Sequence, residues 1–213
     1  MKKLLTVIVA MIALNASAQN SKFEKALMKN VSMMDTASNI ATWQTLTNNV
    51  ERMAAAEPKE WLAQYYSAFS NIMLGVMQKE NTTKDSYYDR AISFIDKADS
   101  MMPNNSEIYA LRGFALSVKI GVDPMQRGMT LGPQSGMYIS KAKELDPANP
   151  RAWMLQGQSA MYTPEQFGGG KAKALPLLET AVEKYKNFKS DNPVMPHWGE
   201  RRTKDVLEQC KNM

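Results

Sequence analysis

An all-α chain of repeated helical hairpins is the fold class predicted here, and three observations predict it. Trp61, Tyr109, Trp153 and Trp198 recur at spacings of 48, 44 and 45 residues, within the period of roughly 20–50 residues typical of solenoids. Apolar residues between them fall three and four apart, the period of a helix with one buried stripe. Proline closes several of those stripes, because it has no N–H to donate and clashes with the preceding turn.

The elements follow in order. Helices are predicted over 22–34 and 37–56, the second carrying the stripe Trp43, Leu46, Val50 and Met53 before Pro58. Helices over 59–78 and 85–102 come next, the latter with Ala91, Ile95 and Ala98 before Pro103. Then come 105–120 and 134–146, where Ile139, Ala142 and Leu145 precede Pro147. Helices over 149–162, 171–189 and 198–212 complete the chain, giving four hairpins and a terminal helix. No stretch alternates as a strand would.

Residues 1–18 read as a signal peptide. Lys2 and Lys3 form a basic start, Leu4–Leu14 is an apolar run too short to span a bilayer, and Ala16-Ser17-Ala18 is a small-residue cleavage site. No cysteine stands at that site, so a periplasmic protein without a lipid anchor is expected, its mature domain covering 19–213 with no transmembrane segment. The net charge of +5 falls to +3 without Lys2 and Lys3, and the remaining basic residues are dispersed among Asp and Glu. That distribution excludes nucleic acid, which needs a concentrated basic stripe.

The repeat details resemble the tetratricopeptide repeat (TPR) family. In its first helices an aromatic is followed by a small residue and then another apolar or small one, as in Tyr109, Gly113, Leu116 and Trp153, Gly157, Ala160. Its second helices are matched by Ala91, Ile95, Ala98 and Pro103, by Ser135, Ile139, Ala142 and Pro147, and by Ala174, Leu178 and Ala181. Trp61 and Ala68 fit, but Tyr65 fills the small slot, so that hairpin is expected to pack more openly. The resemblance implies a right-handed superhelix of TPR-like hairpins with a capping helix opened by Trp198. It also implies a concave groove lined by Tyr66, Phe69, Phe114, Gln158, Met161 and Tyr162.

The period exceeds the TPR unit of about 34 residues. The excess is assigned to edge loops near 79–84, 121–133 and 163–170, where insertions of stacked repeats form a binding edge. In the second, Asp123-Pro124 can start a short turn that Gly128 ends; Met125 and Arg127 would then stand at the groove mouth, ready for a carboxylate or peptide end. In the third, Thr163 and Gln166 form a capping box around Pro164, and Phe167 either plugs the groove or meets a ligand. Gly168-Gly169-Gly170-Lys171 is not a phosphate loop, since it lacks the spacer between glycines and has Ala172 where Ser or Thr would bind magnesium.

Other candidate chemistry is thin. The 17 methionines are scattered without nearby His or Cys, which favours adaptable core filling over Cu(I) binding. His197 is the one histidine and Cys210 the one cysteine. Asp35-Thr36-Ala37 and Asp99-Ser100-Met101 match a short O-glycan acceptor pattern at Thr36 and Ser100. No nucleophile stands beside a base and no metal-ligand spacing occurs, so no enzyme, metal or cofactor is implied. The expected function is an exported, non-catalytic module binding a peptide or protein partner in the cell envelope. The alternative is a hydrophobic-ligand-binding accessory of a solute transporter.

Overall fold

The computed structural model describes residues 22–190 and 192–212; the expected export signal lies outside the described residues. Their regular structure is helical. A first helix, α1, covers 22–34. It is followed by α2 (Ile40–Ala56), α3 (Trp61–Met77), α4 (Asn81–Met101), α5 (Ser106–Ile120), α6 (Pro124–Leu145), α7 (Pro150–Tyr162), α8 (Lys171–Asn187) and α9 (Glu200–Lys211). A single 3-10 turn occupies Glu165–Phe167.

Local chemistry explains the boundaries. Side-chain oxygens of Asn39, Asn105, Asp123 and Asn149 accept backbone N–H groups at the starts of α2, α5, α6 and α7. Pro124 and Pro150 occupy the first turn of α6 and α7, where a missing N–H costs nothing. The chain leaves α4 through Met102 and turns at Asn104, whose φ is 60°.

Helices α3 and α4, α5 and α6, and α7 and α8 pack as hairpins, and α3, α5, α7 and α9 touch in succession along one side. The second helices pack mainly on first helices rather than on one another. In α5 and α7 the predicted small residues do the expected work. A Cβ at Gly113 would press into the Ile139 side chain, and one at Gly157 would come within 2.8 Å of Leu178. Tyr65 does not hold its hairpin open, contrary to the sequence reading. Helices α3 and α4 pack as extensively as α5 and α6. Their close approach shifts to Gly75, beneath the Tyr88 ring, and Tyr65 turns away into a fully buried position.

The edge-loop assignment also needs correction. Asp123 and Pro124 do start a helix, but Gly128 does not end it; α6 runs 22 residues through Pro133. Pro133 lies on the exposed face, where the carbonyl it leaves unbonded can meet water. Similarly α4 takes up most of 79–84. Most of the excess length is therefore longer second helix. Only 163–170 remains a loop, and its capping box does not form: Thr163 donates its hydroxyl to the Ser159 carbonyl instead. Gly168 and Gly170 have φ of 81° and 95°, and a Cβ on Gly169 would collide with the Thr163 backbone, so all three glycines are required.

Gly157→Val should destabilise the fold by about 1–3 kcal/mol through overpacking against Leu178. Urea unfolding followed by circular dichroism measures it, and an unchanged midpoint would contradict the close packing.

Candidate ligand-binding site

The inner face, expected to be a groove, is filled by the chain itself. After α8 residues 188–190 and 192–199 run back across α3 and α5 as a strap. The Tyr66 hydroxyl donates to the Val194 carbonyl at 2.9 Å. The Trp198 indole stacks between Phe69, with centroids 5.0 Å apart, and Phe114, at 5.6 Å. Its N–H donates to the Tyr65 hydroxyl at 2.8 Å. The strap turns into α9 at Gly199, with φ of 107°, where the Tyr185 hydroxyl donates to the Trp198 carbonyl. Phe167, expected either to plug the groove or to meet a ligand, does not plug it and is 68% exposed. Trp198 was expected to open the last helix, yet it precedes α9 and fills the groove. The periodic aromatic is the plug because its flat ring matches the slot between Phe69 and Phe114.

Beneath the strap lies a buried ion pair. The Arg151 guanidinium, on α7, makes a two-pronged contact with the Glu107 carboxylate on α5. Phe188 and Trp198 of the strap cover it, with ring centroids 4.5 and 6.0 Å away. Burial pushes the Glu107 carboxyl above its ordinary range, opposed by the charge of Arg151. Burial likewise pushes the Tyr65 and Tyr66 hydroxyls up, so both stay neutral donors or acceptors.

The other expected residues are dispersed. Arg127 is engaged by both oxygens of Asp85, at 2.5 and 2.6 Å, and donates to the Lys119 carbonyl. The Arg127 hydrogen bonds hold the Asp85 carboxyl below its ordinary range. Arg127 thus staples α6 to α4 rather than waiting for a carboxylate. Met125 is 91% exposed on the outer helix α6. Gln158, Met161 and Tyr162 sit on the last turns of α7. Met161 packs into the C-terminal core, and the Tyr162 hydroxyl accepts from Arg202 at 3.3 Å. The structure therefore brings together Tyr66, Phe69 and Phe114 but places the remaining six elsewhere.

An open groove of about 790 Å³ lies instead on the outer side, between α2 and α4. One wall is the α2 stripe Asn48, Glu51, Arg52 and Ala55; the other is the α4 stripe Arg90, Phe94, Lys97 and Met101, with Ala54, Pro58, Gln64 and Ser100 completing it. Arg90 is held by Glu51. Among the described residues Arg52 hydrogen-bonds only to Asn49, and neither Arg52 nor Lys97 forms an ion pair. Arg90 and Lys97 flank the Phe94 ring at 5.9 and 5.0 Å. Gln64 is buried, with its amide N–H donated to the Ala54 carbonyl, while its Oε1 has no partner among the described residues. The sequence reading missed these walls. The one available signal was Arg90, Phe94, Lys97 and Met101 at helical spacing beside the apolar stripe of the same helix. A smaller groove of about 560 Å³ adjoins Lys184, Phe188 and Lys189.

Among the described residues no three His, Cys, Asp or Glu side chains gather to hold a metal ion, and no helix is long and apolar enough to cross a membrane. The sequence matches no protein-family model and no curated protein sequence. It is similar to a solved structure, the HusA haemophore from Porphyromonas gingivalis. The two are 36% identical with a TM-score of 0.81, over 89% of this chain and 93% of the haemophore. The chain belongs to the HusA haemophore family. That family's named member is a binding protein rather than an enzyme. The TPR resemblance describes the spacing and pairing of helices; the haemophore is the relationship shown.

Trp198→Ala should cost about 3–5 kcal/mol of stability in denaturant unfolding, because it empties the slot between Phe69 and Phe114. Arg151→Met should cost about 3–5 kcal/mol by stranding the Glu107 charge. In that variant Glu107 binds a proton more readily folded than unfolded. Its stability relative to wild type should therefore rise as pH falls towards 5 and be lost as pH rises; a deficit independent of pH between 5 and 8 would refute the pairing.

Proposed function

We propose that this chain is an exported, non-catalytic carrier of haem or a closely related tetrapyrrole. The observation that carries the proposal is the 36% identity to a haemophore across 93% of that chain. The basic, small-residue-flanked apolar leader at residues 1–18 supports export. The small-molecule reading is favoured over a peptide partner because the strap occupies the inner face where a peptide would lie. The outer groove has a volume within the range of roughly 300–1,000 Å³ usual for small-molecule sites.

Haem is a flat apolar macrocycle with two carboxylates, so an apolar wall with unpaired cations suits it. Iron ligation by histidine is not part of this reading. Both His197 ring nitrogens are engaged, one with Asp35 and the other with the Met195 carbonyl, each at 3.1 Å. Cys210 is buried in the C-terminal core.

Titrating the purified mature chain with haem should give saturable one-to-one binding, read by the Soret band and by tryptophan fluorescence. Absence of binding at micromolar concentrations would overturn the carrier reading. His197→Ala should leave both the affinity and the bound spectrum unchanged.

A further inference from the structure

We infer that the cargo seats in the outer groove between α2 and α4, with its carboxylates held by Arg52 and Lys97 and its ring edge against Phe94. This rests on the carrier reading and adds the location and the recognition chemistry to it.

Two observations converge on that groove. The first is shape. Arg90, Phe94, Lys97 and Met101 line one face of α4 over twelve residues, roughly 16 Å at 1.5 Å per step. A slot of that length takes a planar macrocycle edge-on, which a compact pocket would not. The second is charge. Of the three cations in the lining, Arg90 is spent on Glu51. Arg52 on α2 and Lys97 on α4 have no carboxylate partner among the described residues. A dianionic ligand that bridges the walls would satisfy both, and its apolar body would cover Ala54, Ala55 and Pro58.

The inner slot is already filled. Binding there would have to expel Trp198 from between two phenylalanines and break its hydrogen bond to Tyr65.

The test compares haem with its dimethyl ester, in which both carboxylates are masked, on wild type and three variants. Arg52 and Lys97 are exposed, so Arg52→Ala/Lys97→Ala should fold as wild type by circular dichroism. It should raise the haem Kd roughly ten- to hundredfold while leaving the ester's Kd unchanged. Phe94→Ala should weaken both ligands. Trp198→Phe, which keeps a ring in the inner slot, should leave haem affinity unaltered. If wild type binds haem and the double variant binds it equally well, the outer-groove site is overturned while the carrier reading stands. Tighter binding on altering Trp198 would likewise move the cargo to the inner slot. If wild type binds neither ligand, the carrier reading itself falls.

Discussion

The interior of this molecule is organised by one buried charge. Arg151 is fully enclosed, and a guanidinium in that setting must be paired and covered or it will cost several kcal/mol. Glu107 supplies the pairing from α5, which ties the third and fourth hairpins in register. Phe188 and Trp198 supply the cover. The strap is therefore required by electrostatics as much as by apolar burial. Its path across α3 and α5 follows from the need to bring two rings over one cation.

That requirement determines which face is free for function. Stacked hairpins usually expose a concave surface; here the Trp198 ring and the Val194 backbone fill it. Trp198 also joins the N-terminal and central parts of the core, since it packs against both. The open volume lies on the outer side, between α2 and α4. Outer helices carry polar and charged faces, so the groove there combines apolar floor with cations, a chemistry suited to an amphipathic anion.

Much of the helical architecture was legible because helices announce themselves locally. Caps such as Asn105 and Asn149, and stops such as Pro103 and Pro147, act within four residues of where they stand. Boundaries failed where a local signal was weaker than its continuation. Gly128 and Pro133 look like a break, but both sit in a helix whose exposed side tolerates a missing hydrogen bond. The groove was less legible. Tyr66, Phe69 and Phe114 do lie together, but what covers them depends on Trp198, more than eighty residues after the last of them.

By itself, the sequence determined the all-α class, the hairpin period and the close-packing glycines at 113 and 157. Each depends on spacing within a helix or between adjacent ones. The tertiary structure alone decided that the aromatic slot is occupied, that Arg127 is consumed by Asp85, and that Arg52 and Lys97 face one open groove. Those outcomes depend on side chains distant in sequence competing for the same partners, and local periodicity carries no information about who wins that competition.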